Sequence, residues 1–503
     1  MAQSKAIPRL EIRKLRLYME KGAKVYNLPI YNYLRKYQKE DINIFHMPGH
    51  KLSSGIPQEL ATEVLKLDVT EIDGTDNLHY PEGIIKEAQE LAAKAFGADN
   101  TFFLVNGSTC GIQTAIMSVC TRGQKILIGR DSHKSVVSGL IMSGAEPVFI
   151  YPEYNSEFGI NEGITAQSIE EALCKNPEIA AVLITRPNYY GICSDIENII
   201  KIVHSHGKPL IVDEAHGAHL AFSPLLPPSA NQYKADIVIQ SAHKTLPAVT
   251  QGAYMHINSS LIDIEKIRFN LAMLQTSSPS YIIMTYLDIA RELMEKEGTE
   301  RLFNLIEEIS TFKNRLSEIP GYKVLEGKYL GINTIHDPTR LVLNTSDLGI
   351  SGYEAEAILR AELSVQVEMA DYENLVLITT TADKKSTFDR LYESLSKLAR
   401  IPCNDEWGRQ AEKIRSLTGH KPFEALQALS PYEAYVAQKE QKEIKYCLGR
   451  VCAGVITPYP PGIPVLYPGE IIDSSKISYI DSIIKLGGKV NGVGNNNIVQ
   501  VVK

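Results

Sequence analysis

The chain has 503 residues, of which 44% are hydrophobic and 22% charged, and its formal net charge is −7. This balance is typical of globular proteins and excludes a disordered chain, and the negative charge argues against nucleic acid as a main partner. The seven cysteines are scattered without a C-x-x-C pair, so we expect reduced thiols, a cytoplasmic protein and no metal site. The sequence shows neither a secretory signal nor an apolar stretch of the roughly 20 residues that a membrane span needs.

The length predicts several domains. We expect an N-terminal arm over 1–45, a large domain over 46–320, a small α+β domain over 321–406 and a C-terminal domain over 407–503. Strands are predicted at 101–105, 125–128, 147–151, 180–185, 210–213, 236–240 and 252–257. Helices are predicted between them at 84–96, 112–120, 133–142, 169–173 and 196–206. This alternation predicts an α/β fold with one large, mostly parallel seven-stranded sheet.

The later part of the sequence predicts a different arrangement. A long helix over 281–316, interrupted near Gly298, is expected to lead the chain out of the large domain. Strands at 340–344, 365–368 and 375–379 and helices at 353–362 and 387–398 follow. Their mixed order predicts the small α+β domain.

Two tetrads, 213–216 (DEAH) and 241–244 (SAHK), each follow a short apolar run. Ligands of open parallel α/β sheets bind beyond the carboxyl ends of the strands, so both tetrads should face one crevice. An acid and a lysine in that position suit pyridoxal phosphate, because the lysine can form a Schiff base while the acid keeps the pyridine nitrogen protonated. Taken alone, Lys244 could be a surface lysine and Asp213 a helix N-cap.

The phosphate of such a cofactor needs hydrogen-bond donors. Ser241 and His243 flank the lysine and can donate to it. The segment 107–111 (GSTCG) lies between a predicted strand and a predicted helix, where Ser108, Thr109 and free backbone N–H groups would form an anion cradle. The hydroxyl cluster at 275–280 either caps the long helix or reaches a phosphate.

The cofactor ring needs flat or apolar neighbours. Ala215 shares the face of Asp213 if the strand continues, and its methyl group could pack on the ring. His216 is placed to reach the ring hydroxyl or the substrate. His133 follows another strand and could stack on the ring, although a capping or surface histidine is an equal alternative.

Several motifs together resemble the bacterial ornithine/lysine/arginine decarboxylases, which belong to the aspartate-aminotransferase-like class of pyridoxal phosphate enzymes. They are 45–51 (FHMPGHK), 77–79 (NLH), 131–135 (DSHKS), 213–219 (DEAHGAH) and 241–244 (SAHK). The proline-rich segment that ends at Glu470 is similar to the C-terminal domain of that family. The resemblance covers nearly the whole chain from about residue 27. It is to the short form typified by Gram-positive arginine decarboxylases, which lack a long N-terminal wing domain.

The resemblance implies a role for each of these residues. Lys244 would be the Schiff-base lysine, Asp213 the partner of the pyridine nitrogen and His133 the stacking ring. The residues implied around the phosphate are Ser108, Thr109, Ser241 and His243. Ser277 would belong to a segment lent by a neighbouring subunit, which implies a homodimer or a higher homo-oligomer.

The implied activity is α-decarboxylation of a basic amino acid, with L-arginine giving agmatine and CO₂ favoured by the short form. Lys244 or His243 would return a proton to Cα, and Asp73, Asp76 or Glu470 could bind the cationic end of the substrate, although each could be a solvated loop acid. Lysine giving cadaverine and ornithine giving putrescine stay open, as does a role in polyamine biosynthesis or in acid resistance.

Two other classes of protein stay open. An aminotransferase or β-lyase could use the same scaffold, and Arg340 could then bind the substrate's α-carboxylate. A non-enzymatic binding protein is the third possibility, and the presence of both Lys244 and Asp213 argues against it.

Overall fold

The computed structural model describes residues 27–39, 63–331, 333–401, 424–459, 462–485 and 488–503. Most of the predicted N-terminal arm, the motif at 45–51 and the beginning of the predicted C-terminal domain lie outside the described residues. Among the helices that are described, none combines the length and the apolar character that crossing a membrane requires.

The described residues form helices and strands that are numbered here in chain order. The helices are α1 (Pro29–Tyr37), α2 (Ile84–Phe96), α3 (Gly107–Val119), α4 (Ser135–Ser143), α5 (Ala166–Lys175), α6 (Ile196–Ser205), α7 (Ala242–Thr245), α8 (Ile264–Leu274), α9 (Tyr281–Leu316), α10 (Gly352–Ala361), α11 (Lys385–Leu398), α12 (Pro431–Val436) and α13 (Ser474–Lys485). The strands are β1 (Asn100–Leu104), β2 (Lys125–Gly129), β3 (Glu146–Ile150), β4 (Tyr154–Asn155), β5 (Ile160–Asn161), β6 (Ala181–Thr185), β7 (Ile192–Ser194), β8 (Leu210–Asp213), β9 (Ile237–Gln240), β10 (Ala253–Ile257), β11 (Lys323–Val324), β12 (Thr334–His336), β13 (Arg340–Asn344), β14 (Met369–Ala370), β15 (Asn374–Ile378), β16 (Lys439–Glu443), β17 (Thr457–Tyr459), β18 (Lys489–Asn491) and β19 (Ile498–Val502).

A seven-stranded sheet with the order β1-β10-β9-β8-β6-β2-β3 forms the centre of the large domain. The strands from β9 to β3 run parallel, while β10 is antiparallel to both of its neighbours. The predicted α/β fold with a large, mostly parallel seven-stranded sheet is therefore confirmed. Because β8 and β9 are adjacent and parallel, the polar residues that follow them lie at the same edge of the sheet.

Helices cover both faces of this sheet. On one face, apolar side chains of α3, α4 and α8 pack against the strands, with Ile116, Leu140 and Ile267 fully buried. On the other face, α5 and α6 do the same through residues such as Ile169 and Val203. Burial on both faces explains why the central strands are continuous apolar runs in the sequence rather than alternating ones.

The long helix α9 is continuous over 36 residues, so the predicted interruption near Gly298 is wrong. Gly298 is buried, and a Cβ atom there would lie 3.1 Å from the Cβ of Phe222 and 3.0 Å from the Cε of Met294. The glycine therefore permits a close approach between the helix and residue 222. Packing of this kind outweighs the helix-propensity cost of a glycine, which is about 1 kcal/mol.

The small domain contains a four-stranded antiparallel sheet with the order β11-β13-β15-β14. The predicted strands near 340–344 and 375–379 are present, but 365–368 is not a strand. After α10 ends at Ala361, Ser364 takes a positive φ of 56° and the N–H of Val365 donates back to the carbonyl of Leu359. Because the N–H of Val365 is bonded to the end of the helix, it is not available to a strand, and pairing with β15 begins at Glu368, whose N–H donates to the carbonyl of Val376 at 3.0 Å.

The C-terminal region is built on two β-ribbons, β16 with β19 and β17 with β18, around a small apolar core of its own. It docks on the large domain just after β2. There, the buried guanidinium of Arg130 donates to the carbonyls of Pro464 and Val465 at 2.7 and 2.9 Å and contacts both carboxylate oxygens of Glu470 at 3.2 Å. The docking places the C-terminal region next to the edge of the sheet that carries the tetrads.

Candidate active site

The two tetrads meet at the carboxyl ends of β8 and β9. Asp213 is the last residue of β8, and Lys244 lies in the single turn of α7 that follows β9. Asp213 is buried, Lys244 is half-buried, and their charges are close enough that each favours the ionised form of the other. The structure thus brings the predicted acid and the predicted lysine together at one edge of the sheet.

Asp213 is a buried carboxylate whose negative charge is compensated by few neighbouring groups. Burial raises its pKa, and this is only partly opposed by the charge of Lys244 and by the N–H of Ala215, which donates to its Oδ1 at 3.1 Å. Ala215 is itself buried. A buried carboxylate with so few partners is costly, and a cationic ring nitrogen would supply the missing counter-charge.

His216 lies between Lys244 and Arg340. Its Nε2 is 3.0 Å from the Nζ of Lys244, and its Nδ1 is 3.1 Å from Nη2 of Arg340. Burial lowers the pKa of Lys244, and burial together with the two neighbouring cations lowers the pKa of His216 well below its usual value. Both shifts favour uncharged nitrogens, and an uncharged lysine amine is the form that attacks an aldehyde.

Two further histidines of the predicted site are also uncharged at neutral pH. Burial and the charge of Lys244 lower the pKa of His133 to about 4, and its Nδ1 accepts the N–H of Ser135 at 3.2 Å. Burial lowers the pKa of His243, whose Nδ1 lies 3.1 Å from the carbonyl oxygen of Gly252. Because a carbonyl only accepts, Nδ1 of His243 carries the proton, which leaves Nε2 able to take up another.

The first turn of α3 forms an anion cradle. This helix begins at Gly107, five residues earlier than predicted, and Asn106 before it gives no side-chain cap. The first backbone N–H groups therefore point out of the helix without a side-chain acceptor. Ser241 donates to the Oγ of Ser108 at 2.8 Å, which places both hydroxyls beside that turn, and Thr109 is exposed there. Gly107 has a φ of +74°, a conformation that favours glycine.

Ser277 is exposed in the connection between α8 and α9. The neighbouring carbonyl of Thr276 lies 2.8 Å from Nε2 of His79, which ties this connection to the loop before α2. The segment is therefore held on the surface of its own subunit, where a second subunit could reach it.

Two of the three acids predicted to bind the substrate already have other partners within the protein. Glu470 is fully buried and paired with Arg130, as described above. Asp76 accepts backbone N–H groups at the start of α2, including those of Gly83 at 2.8 Å and Ile85 at 2.9 Å, and these bonds lower its pKa. Only Asp73 is left exposed, so the geometry does not favour Asp76 or Glu470 as free partners for a cation.

Sequence reasoning missed three features of the site. Glu214 is fully buried and orders the end of β8, since it accepts from Ser229 at 2.7 Å and from Gln240 at 2.6 Å. The ring of Tyr189 packs edge-on against His216, with 4.6 Å between the ring centroids. Burial raises the pKa of Asp131 to about 7. Glu214 and Asp131 stand within the motifs at 213–219 and 131–135, but the partners of Glu214 and His216 lie elsewhere along the chain, so the motifs alone do not identify these contacts.

The residues present fit pyridoxal phosphate. Asp213 needs a cation, Lys244 offers an amine whose pKa is lowered by burial, and the amides of α3 with Ser108 and Ser241 suit a phosphate. His133 offers an uncharged ring on the same side of the sheet. These donors and acceptors are the ones that the cofactor's ring nitrogen, aldehyde and phosphate require.

Comparison with known proteins gives closely related sequences and folds. Curated arginine decarboxylases of Bacillus subtilis (strain 168) and Bacillus anthracis are each 36% identical, over 94% and 93% of this chain and 98% and 95% of theirs. Lysine decarboxylase A from Pseudomonas aeruginosa, a solved structure, superposes with a TM-score of 0.84 over 98% of this chain and 82% of that one. At 21% identity that likeness shows the fold alone.

Family models cover most of the sequence. The model described as the major domain of Orn/Lys/Arg decarboxylases matches residues 28–387, and the model of the C-terminal domain of the same enzymes matches residues 413–496. The two matches follow each other in the order that the sequence motifs indicate. The chain therefore belongs to the ornithine/lysine/arginine decarboxylase family.

Proposed function

We propose that this protein is a pyridoxal phosphate-dependent α-decarboxylase that converts L-arginine to agmatine and CO₂. The observation that carries the proposal is the proximity of Lys244 to the buried, poorly compensated Asp213 at the carboxyl ends of β8 and β9. Arginine is favoured because curated arginine decarboxylases of four Bacillus-type bacteria are 36–37% identical to the chain. The lysine decarboxylases are more distant, at 23–24% identity.

The chain's own residues have separate tasks in this reaction. When bound, pyridoxal phosphate supplies an aldehyde for amine capture and a ring that accepts the electrons released as CO₂ leaves. Lys244 holds the cofactor through its amine, Asp213 keeps a proton on the ring nitrogen, and Ser108 and Ser241 bind the phosphate. His133 packs on the ring and keeps water from that face.

A proton must return to the substrate's Cα after CO₂ leaves. Lys244 and His243 are the two groups in α7 that can deliver it. His243 holds one proton on Nδ1 through the carbonyl of Gly252, so Nε2 is the atom that would take up and give back the mobile proton.

The test of this proposal is a comparison of products with arginine, lysine and ornithine as separate substrates. We expect agmatine and an equal amount of CO₂ from arginine, with kcat/KM for lysine and ornithine lower by roughly 100-fold or more, since a site that binds one polar group rejects analogues lacking it. Cadaverine or putrescine as the main product would overturn the choice of substrate. A keto acid with no CO₂ would overturn decarboxylation itself and favour an aminotransferase, in which Arg340 would bind the α-carboxylate.

We propose further that the active unit is a homodimer in which Ser277 reaches the partner's site. An open groove of about 1060 Å³ lies beside the segment that carries Ser277. Large apolar side chains on its rim are exposed, namely Tyr80, Phe269 and Met273. Exposed apolar area of this kind typically marks a protein interface, and a second copy would cover it while bringing Ser277 across.

Subunit mixing tests the dimer. Ser277→Trp and Lys244→Ala are each expected to be inactive, and mixing equal amounts under exchange conditions should restore about a quarter of the wild-type activity, because each hybrid has one intact site. Mixing Lys244→Ala with Asp213→Ala, which lie in the same site, is the matched control and should restore nothing. Equal activity in both mixtures, or no restoration in the first, would contradict a shared site.

We infer that the protein works in the cytoplasm and contributes to polyamine biosynthesis. The six cysteines of the described residues are all free, and five of them are buried. Unpaired thiols are typical of reducing compartments. Agmatine, the proposed product, is a polyamine precursor, which is the reason for the second inference.

A further inference from the structure

Each of the two ring nitrogens of His216 lies within hydrogen-bond distance of a nitrogen atom of a neighbouring side chain. Nη2 of Arg340 lies 3.1 Å from its Nδ1, and Nζ of Lys244 lies 3.0 Å from its Nε2. Arg340 and His216 are almost fully buried, at 1% and 5% exposure, so water does not compete for these positions. The proton between Arg340 and His216 is therefore determined by these two side chains themselves.

The position of each proton follows from elementary hydrogen-bond rules. The guanidinium of Arg340 has donors and no acceptor and stays protonated in proteins, so Nδ1 of His216 must accept and carries no proton. The single proton of the neutral imidazole is then on Nε2, which donates to Lys244. An ammonium group has no lone pair and cannot accept that bond, whereas an uncharged amine can.

We propose that Arg340 is a positioning residue that fixes the Nε2–H tautomer of His216 and thereby holds the amine of Lys244 in its uncharged, nucleophilic form. If Lys244 were an ammonium group, both ring nitrogens of His216 would have to accept. The ring would then be an anion, or one of the two hydrogen bonds would break. The proposal deepens the role of Lys244 in the proposed function and rests on it.

The packing around the row holds Arg340 in place. Arg340 is the first residue of β13, and its N–H donates to the carbonyl of Asp337 at 3.1 Å. The carboxylate of Asp337 instead contacts Nε2 of His219 at 3.0 Å. It therefore does not compete with His216 for a hydrogen bond from the guanidinium of Arg340. Gly191 allows the approach, since a Cβ there would lie 2.6 Å from the Cβ of Arg340.

Other charged and titratable groups also face the row. Asp213 and Glu368 favour a charged Lys244, whereas burial and Arg340 favour the uncharged amine, and the balance lowers the pKa of Lys244. His133 and His243 add to the effects of burial and of the two cations in lowering the pKa of His216. The edge of Tyr189 covers one side of the ring. These groups leave His216 neutral, as the proton arrangement requires.

The experiment measures the pKa of Lys244 in the full-length protein stripped of cofactor. The rate at which an acylating reagent labels Lys244 is followed by mass spectrometry as a function of pH. Arg340→Met, which removes the donor and the charge, should raise this pKa by a unit or more, so that labelling at pH 7 slows about tenfold or more. Arg340→Lys, which keeps both donor and charge, should stay close to the wild type.

Two variants separate the tautomer from a simple charge effect. Arg340→Gln removes the charge but keeps an N–H donor, so the proposal predicts a pKa nearer to the wild type than to Arg340→Met. In a His216→Phe background, Arg340→Met should cause no further shift. A full shift in that background, or a pKa for Arg340→Gln equal to that of Arg340→Met, would mean that Arg340 acts by charge alone and would overturn the proposal.

The test can still be decided if one variant misfolds, and its outcome is separate from that of the proposed function. If Arg340→Met fails to fold, the comparison of Arg340→Gln with the wild type and with the His216→Phe, Arg340→Gln double variant gives the same decision. The labelling needs neither cofactor nor substrate. A negative result here therefore leaves decarboxylation untouched, while failure of the product assay leaves the Lys244 measurement standing.

Discussion

Lys244→Ala is expected to lower kcat for decarboxylation by on the order of 10⁴-fold or more, because the reaction loses the effective concentration of an amine fixed beside the cofactor. The same variant also loses one of the two groups that could return a proton to Cα. Steady-state CO₂ release from carboxyl-labelled arginine measures the effect. Lys201→Ala is the matched control, since Lys201 is an exposed lysine paired only with Glu197 on α6, and its kcat should not change.

Part of this loss should be recoverable with a small amine. Methylamine can reach a cavity left by the lysine side chain and capture the aldehyde or carry the proton in its place. We expect an increase in the rate of Lys244→Ala with amine concentration, and none in the wild type. A Lys244→Ala variant that keeps more than a tenth of the wild-type rate without added amine would show that position 244 is not the covalent anchor.

Asp213→Asn is expected to have the second largest effect, a fall in kcat of roughly 10²–10³-fold, which is typical of removing one charge-matched group from a buried reaction centre. Asparagine has almost the same shape as aspartate but no charge to keep a proton on the ring nitrogen. The affinity for pyridoxal phosphate should fall as well, measured by the change in absorbance on titration. Asp99→Asn, at an exposed ion pair with Lys234, is the control and should behave as the wild type.

The same substitution should stabilise the protein that lacks cofactor. Because burial raises the pKa of Asp213, the folded state binds a proton more tightly than the unfolded state, and this contribution to stability is lost as pH rises through the raised pKa. At neutral pH the ionised carboxylate is a cost that Asn does not have. The thermal midpoint of cofactor-free Asp213→Asn should exceed that of the wild type at pH 7, and the two should converge at acidic pH. A lower midpoint at pH 7 would mean that a cation other than the cofactor already compensates the charge.

The central sheet was predictable because its signals are local. The strand at 210–213 of this sheet and the helix at 84–96 agree with the sequence-based bounds to the residue, as does the strand at 340–344 of the four-stranded sheet, since continuous apolar runs and 3.6-residue periodicity decide them. The interruption at Gly298 was wrong because a glycine can serve tertiary packing rather than a break. The strand at 365–368 was wrong because the N–H of Val365 bonds back to the carbonyl of Leu359, so that pairing with β15 begins only at Glu368.

The site was predictable where its reactive residues lie within short sequence motifs. Lys244, Asp213 and His216 come from two tetrads at strand ends, so sequence spacing and the topology rule sufficed to bring them together. The partners of Glu470 and Asp76 were not predictable, because Arg130 lies far from Glu470 in sequence and backbone N–H groups carry no residue signature. The contact of Arg340 with His216 joins β13 to the segment after β8 and likewise has no local signal.

The measurement that tests the central claim most directly is the position of the covalent bond to the cofactor. The protein is saturated with pyridoxal phosphate, reduced with borohydride, digested and analysed by mass spectrometry. We expect the phosphopyridoxyl mass on the peptide that contains residue 244, at about one per chain, and its absence in Lys244→Ala. A stoichiometric adduct on a different lysine, or none on residue 244 in saturated protein, would contradict the account.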